Sequence, residues 1–143
     1  PGLVTPGTQC NHPVTSPDFY PTLLDLADLD LQPQQHIDGK SFLPLLKGEE
    51  GFERGPIYWH YPHYGNQGGT PGSSIRLGDS KLLEFFEDGR LELYNLRKDI
   101  SEGKNIADKE PDKTKELHGL LKNWRKDVEA KIPQPNPDFK PWH

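Results

Sequence analysis

The densest grouping of side chains able to do chemistry is Trp59-His60-Tyr61-Pro62-His63-Tyr64-Gly65-Asn66-Gln67-Gly68-Gly69. The imidazoles of His60 and His63 and the amide of Asn66 supply hydrogen-bond donors and acceptors, while Trp59, Tyr61 and Tyr64 supply flat apolar faces. The glycines that follow let backbone come close to a ligand. Recognition of an anionic sugar needs these parts, rings to cover an apolar sugar face and donors to meet hydroxyl and anionic oxygens. His60 and His63 are therefore the leading candidates for substrate contact, followed by Asn66. The competing reading packs Trp59 and Tyr61 in a sheet and leaves both histidines at its wet edge. The histidines stand three residues apart with no third ligand type after them, so the pattern does not specify zinc.

Elsewhere the charged residues are less concentrated. Arg76 and Lys81 could each offer charge to an anion, and Arg76 is retained as a binding candidate. Both also suit the exposed face of a hairpin, where Lys81 could pair with Glu92 across the strands. Glu84/Glu87 and Asp79/Asp88 have the composition of glycosidase carboxylate pairs, but they lie beside turns and read as solvated charge. Asn105 reads as a turn residue whose side chain binds local backbone. The single cysteine, Cys10, excludes an internal disulfide, and no Cys/His spacing resembles a zinc site.

Composition limits what can position these groups. Of 143 residues only 31% are apolar, with 15 Pro, 14 Gly and a mean hydropathy of -0.86, so the core must be small. The formal charge of -5 and the absence of a Lys/Arg block clear of neighbouring acids speak against nucleic acid as a partner. An anionic substrate would be repelled by the average charge, so its recognition must come from a local cluster. No stretch approaches the roughly 20 apolar residues of a membrane span.

Along the chain, residues 1–16 read as an extended connector. Ser16 is a candidate helix cap before Pro17 and Asp18, and Phe19, Tyr20, Leu23, Leu24 and Ala27 follow at helical spacing, with Pro21 expected to kink the helix or force a restart. Phe42 to Leu46 form a short apolar knot suited to resting on a larger body. A boundary near Gly51–Gly55 separates residues 1–50 from residues 51–143. Strands are expected at 56–61, 73–77, 81–87 and 90–94, with Asp88-Gly89 supplying the positive φ values of a tight hairpin turn. Leu91 and Leu93 share one face of their strand, and Leu83 and Phe85 one face of the partner. Pro111 opens a helix whose stripe, Leu117, Leu120, Leu121, Trp124 and Val128, is the natural cover for one face of the sheet. The segment from Ile132 to His143, with four prolines, is expected to be an extended strap. The fold class is thus α+β, a small antiparallel β-sheet packed by a long C-terminal helix.

Several segments, taken in order, resemble the end of sulfatases of the alkaline-phosphatase superfamily, in their arylsulfatase and N-sulphoglucosamine sulphohydrolase-like branch. Ser16-Pro17-Asp18-Phe19-Tyr20-Pro21-Thr22-Leu23-Leu24-Asp25-Leu26-Ala27 is similar to a helix late in the large α/β domain of those enzymes, and Asp38 to Gly48 to the segment after it. Ile75-Arg76-Leu77-Gly78-Asp79-Ser80-Lys81-Leu82-Leu83, Glu92-Leu93-Tyr94-Asn95-Leu96-Arg97-Lys98-Asp99 and Glu102 to Ala107 resemble the hairpins and exit loop of the small domain. Pro135-Asn136-Pro137-Asp138 resembles the tail. Ser80 departs from the pattern, which has an aromatic residue there, and implies looser packing.

The resemblance carries expectations. Family sulfatases attack the ester with a hydrated formylglycine made from the Cys or Ser of Cys/Ser-x-Pro-x-Arg, beside a calcium ion. Cys10-Asn11-His12-Pro13-Val14 places Pro one position late and has no Arg, so Cys10 reads as an incidental thiol. Formylglycine and calcium are then expected in a missing N-terminal sulfatase domain, and no catalytic residue or metal ligand in this chain. Residues 1–50 would be the tail end of that large domain and residues 51–143 the C-terminal subdomain. The implied partners are the missing domain and a sulfated sugar or aryl sulfate, with His60, His63, Asn66 and Arg76 as the substrate-binding set. The rival readings are a stand-alone carbohydrate-binding or interaction module and a phosphoesterase of the same superfamily.

Overall fold

A computed structural model describes residues 2–66, 68–134 and 136–140. The chain forms two compact units, Pro1–Gly55 and Pro56–His143. Gln67, Pro135, Pro141, Trp142 and His143, which belong to the glycine-rich loop and the strap named above, lie outside the described residues.

In the second unit, four segments with strand composition pair antiparallel in sequence order: β1 (Ile57–Tyr61), β2 (Gly72–Leu77), β3 (Ser80–Phe85) and β4 (Leu91–Asn95). Directly opposed residues of an antiparallel sheet share a face. The register aligns Tyr58, Ile75, Leu82 and Leu93 in one row across all four strands. Helix α3 (Pro111–Asp127) lies on that row, with Leu117 and Leu121 fully buried against Ile75, Leu82 and Leu93. Each such side chain contributes about 1.5–3 kcal/mol. Trp124 completes the contact by stacking on Tyr58, centroids 4.7 Å apart and planes 3° from parallel. The helix stripe is therefore core, although Val128 lies past the end of α3 and is 51% exposed.

The turns explain the rest of the register. Gly78-Asp79 is a two-residue connection between Leu77 and Ser80, and only Gly78 takes a positive φ, 59°, the pattern of a type II′ turn. The Asp88-Gly89 turn is not the two-residue type expected. Residues 86–90 join β3 to β4, Asp88 keeps a negative φ and only Gly89 is positive at 70°. The chain makes a helical turn there, closed by Gly89 N–H to Phe85 O at 2.9 Å, and Phe85 N–H meets Arg90 O at 3.1 Å. Leu82, rather than Leu83, faces the helix, so Leu83 and Phe85 stand on the opposite face from Leu91 and Leu93.

The outer edge of β4 is closed by Asn105. Its Oδ1 accepts Leu93 N–H at 3.0 Å, its Nδ2 donates to Leu91 O at 3.3 Å, and Ile106 N–H bonds Leu93 O at 2.9 Å. The side chain also binds local Ala107 N–H, at 2.9 Å, but its larger part is to mimic a neighbouring strand. Past α3 the chain is irregular, with a turn in which Phe139 N–H bonds Asn136 O at 3.1 Å.

The first unit is organised around a carboxylate. A 3-10 turn, Ser16–Asp18, leads into α1 (Phe19–Leu26), and Pro21 falls in the first turn of α1, where no intrahelical N–H is required, so it causes no kink. The cap is Thr15 rather than Ser16: its N–H and hydroxyl donate to Asp18 Oδ2 at 2.7 and 3.0 Å. Asp18, fully buried, also receives Lys40 N–H on Oδ1 at 2.8 Å and a bidentate Arg54 guanidinium, Nε to Oδ2 and Nη2 to Oδ1, each at 2.9 Å. Thr22 extends the network by donating to Asp18 O at 2.6 Å and accepting Phe42 N–H at 3.0 Å. The apolar knot becomes a one-turn helix, α2 (Leu43–Leu46), with Leu43 buried. Pro21 and Thr22 of α1 are thus buried beside Asp18, while Phe19, Leu23 and Leu26 are exposed, Leu23 at 61%.

Burial acts to raise the Asp18 carboxyl, but the N–H groups of Lys40 and Thr15, the Arg54 guanidinium and the Thr15 hydroxyl outweigh it and hold the group below its ordinary value. A carboxyl with a depressed folded-state pKa contributes stability that is present above the unfolded value, about 3.9, and is lost as pH falls through the lower folded value. Asp18→Asn, which removes the counter-charge of a buried Arg54, should cost the first unit about 3–5 kcal/mol at neutral pH. Amide exchange over α1, followed as pH is lowered below the unfolded value, should show a loss of protection in the wild type that Asp18→Asn has already suffered.

Candidate functional site

Alternation along β1 decides where its aromatic residues go. Tyr58 and His60 face α3, while Trp59 and Tyr61 stand on the opposite face, 45% and 55% exposed. This is the reverse of the reading that buries Trp59 and Tyr61 and wets His60. The outward pair borders a shallow hollow of about 170 Å³ that is also lined by Gly72, Leu83 and Phe85.

His60 is half-buried and bonded on both sides of its ring. Its Nδ1 is 2.7 Å from Ser73 Oγ, its Nε2 is 2.9 Å from Lys131 O, and its ring lies against Phe86 with centroids 5.7 Å apart. Both of its ring nitrogens thus have partners within the chain. His63 and Asn66 behave differently. Both are exposed on the connection between β1 and β2, with His63 edge-on to Tyr61 at 5.4 Å. Next to Asn66, Gly68 N–H closes a turn on Gly65 O at 3.2 Å.

This connection is held to the β3–β4 turn at two further points. Tyr64 OH donates to Glu87 Oε1 at 2.8 Å, and Phe86 N–H donates to Pro71 O at 2.9 Å. The bond to Glu87, with lesser contributions from burial and the Glu87 charge, raises the Tyr64 phenol above its ordinary value. Phe86 is in turn covered by Arg125, whose guanidinium lies 5.3 Å from its ring centre.

Arg125 is held by Glu84, which is not the solvated charge expected. Arg125 Nη2 donates to Glu84 Oε2 at 2.6 Å, with side chains 10% and 16% exposed. His118 Nε2 lies 3.0 Å from the same oxygen but off the hydrogen-bonding line. The pair joins α3 to β3 beneath the turn that carries Phe86 and Glu87.

Arg76 stands apart from the loop. It pairs in register with Ile57, four residues along β2 from Gly72, which is roughly 13 Å of strand, and its Nε bonds Gly78 O at 3.1 Å. Lys81 pairs with Glu102 at 2.6 Å rather than with Glu92. Glu92 instead accepts Arg90 Nε at 3.2 Å and Tyr94 OH at 2.8 Å. Burial, that bond and nearby carboxylates push Tyr94 up to about 12. The Arg90 guanidinium lies over the Phe85 ring, 3.7 Å from its centre. Cys10 is exposed, and among the described residues no three His, Cys, Asp or Glu side chains converge as metal ligands. No step is assigned to a metal here. No helix among the described residues is long and apolar enough to cross a membrane.

The structure therefore leaves His63 and Asn66 exposed on one loop, turns His60 toward α3, and sets Arg76 at the far end of β2. The braces Tyr64–Glu87 and Arg125–Phe86 escaped the sequence because they join residues 23 and 39 positions apart. The facing of Trp59 and Tyr61 was readable from the two-residue period of the strand.

Comparison with known proteins then gives a consistent set. The family model described as N-sulphoglucosamine sulphohydrolase, C-terminal, matches residues 1–130. Arylsulfatase K of Danio rerio is 32% identical over 128 residues, covering 86% of this chain and 24% of that protein. The delta 4,5-hexuronate-2-O-sulfatase of Bacteroides thetaiotaomicron is 33% identical over 122 residues, covering 82% of this chain and 24% of that protein. Among solved structures, BT4656 in complex with its substrate D-glucosamine-2-N,6-O-disulfate aligns at a TM-score of 0.64 and 31% identity, covering 81% of this chain and 24% of that one. The chain thus spans about a quarter of the length of the curated relatives it matches.

The Glu84–Arg125 pair provides a test of the scaffold under the loop. Arg125→Met leaves Glu84 buried without its counter-charge and should destabilise the second unit by about 3–5 kcal/mol. Replacing both partners, Glu84→Leu with Arg125→Met, should recover most of the loss. Urea denaturation followed by tryptophan fluorescence measures both; equal losses in the single and double variants would show that packing, not the charge pair, holds the helix.

Proposed function

Because the chain belongs to the family of sulfatase C-terminal regions, we propose that it forms one wall of the substrate cleft of an enzyme that hydrolyses sulfate esters of carbohydrates. The reading is supported above all by the β1–β2 connection, where exposed His63 and Asn66 stand beside the outward ring of Tyr61 on a braced loop. Imidazole and amide groups can donate to hydroxyl and sulfate oxygens, and exposed rings can cover an apolar sugar face. The relatives agree in substrate class: one is named for a hexuronate 2-O-sulfate, and another was solved with a sulfated glucosamine.

On this reading the nucleophile is a formylglycine and the metal a calcium ion, both in the rest of the parent protein. That larger part also covers the outward apolar residues of α1. What this chain contributes is orientation. His63 and Asn66 would hold the sugar, and Arg76, at the far end of β2 with one nitrogen already bonded to Gly78, would contribute less. The products are an alcohol and sulfate.

Two measurements test this. The 143-residue chain should not turn over an aryl sulfate even with calcium and a formylglycine-generating enzyme supplied, and activity that disappears on Cys10→Ala would refute that expectation. In the full-length enzyme, His63→Ala should lower kcat/KM on the sulfated sugar by about ten- to a hundredfold, with thermal stability unchanged and Arg76→Ala having a smaller effect. Wild-type kinetics in His63→Ala would remove this loop from the cleft.

A further inference from the structure

We infer that His60 is a positioning residue: it clamps the start of the β1–β2 loop between β2 and the chain leaving α3, and so sets where His63 and Asn66 point. The inference rests on the reading of that loop as a cleft wall. It gives His60 a different part from the substrate contact that its residue type suggests.

The hydrogen bonds define the clamp. A carbonyl oxygen only accepts, so the 2.9 Å contact with Lys131 O requires a proton on Nε2. In the neutral ring Nδ1 then accepts from the Ser73 hydroxyl at 2.7 Å, and both nitrogens are used. Neither partner is free to drift. Ser73 is buried and is the register partner of His60 on β2. The Lys131 carbonyl follows a fixed helix end, where Ala130 N–H bonds Arg125 O at 2.9 Å. The ladder to β2 holds the inner edge of β1, while its outer edge has no described partner comparable to Asn105 and Ile106 on β4, so side chains add the remaining restraint there. Tyr58 does so near one end by stacking on Trp124, and His60 does so beside the loop.

The loop then meets one anchor at both ends. The His60 ring packs beside the Phe86 ring, and Pro71, just before β2, accepts the Phe86 N–H. Tyr64 bonds the next residue, Glu87. His63 follows the clamp by three positions, so a rotation of β1 at His60 carries directly into the imidazole proposed to face the sugar.

The test uses the stereochemistry of the replacements. Glutamine can reproduce the Nε2 donor to Lys131 O, whereas alanine reproduces neither bond. In the 143-residue chain, His60→Ala should speed amide exchange at residues 63–70 by about tenfold, with β3, β4 and α3 keeping their protection, while His60→Gln should stay near wild type. Unchanged exchange in His60→Ala, or equal acceleration in both variants, overturns the clamp. In the full-length enzyme His60→Ala should lower kcat/KM by about tenfold, yet lower it by no more than about twofold when His63→Ala is already present. Losses that multiply would mean that His60 meets the substrate independently, and would overturn the positioning role. A wild-type enzyme that hydrolyses no sulfate ester overturns the functional reading instead, and is told apart because the exchange experiment requires no activity.

Discussion

Burial of Ile75, Leu82 and Leu93 beneath Leu117 and Leu121 is the contact from which the second unit follows. With few apolar residues available, one face of one sheet can be covered, and the covered row must run across all four strands. Because side chains alternate along a strand, that single row fixes the facing of every other residue in the sheet. It sends His60, Ser73 and Glu84 to the covered side, and Trp59, Tyr61, Leu83 and Phe85 to the other. A slip of one residue in β1 would bring Trp59 and Tyr61 under the helix and release His60. The chemistry proposed for the loop therefore depends on packing at the far side of the sheet.

Where apolar material runs out, both units use a buried carboxylate held by arginine. Asp18 collects two backbone amides and a bidentate guanidinium, and Glu84 ties α3 to β3 through Arg125. Such pairs add little net stability compared with well-packed apolar groups, but their directional bonds penalise displacement of either partner. Each of the two sits where displacement matters. Asp18 joins the start of α1 to residues 22 and 36 positions later, and Glu84 lies under the turn that anchors the β1–β2 loop.

Family membership and the exposed apolar residues give one consistent picture. The chain covers 24% of relatives that are sulfatases, and α1 leaves Phe19, Leu23 and Leu26 exposed while burying Thr22 beside Pro21. Such a helix is held largely by the polar network at its start, with Phe19 edge-on to Phe42 adding a small apolar contact. The same holds for the loop, which is built from exposed polar and aromatic groups on braces of hydrogen bonds. Both features are consistent with the proposal made above, in which a larger domain meets the helix and a sugar meets the loop.

Composition, periodicity and turn residues were enough to read four strands, the long helix and its place on the sheet, because these rest on local alternation and on the 3.6-residue stripe of Leu117, Leu121 and Trp124. The resemblance of short ordered segments also identified the family. What the sequence left open is what depends on residues distant in the chain. The two positions of Asp88-Gly89 did not reveal a five-residue turn, in which Phe86 N–H is drawn to Pro71 O, 15 residues earlier. Glu84 read as solvated since its partner lies 41 residues away, and Lys81 read as a partner of Glu92 because Glu102 comes in on a loop. His60 and His63 looked equivalent in sequence, three residues apart and equally polar. Tertiary structure separated them: strand alternation turned His60 toward the helix, where Ser73 and Lys131 satisfy both nitrogens, while the chain leaves the sheet before His63 and none of the described residues bonds its ring nitrogens.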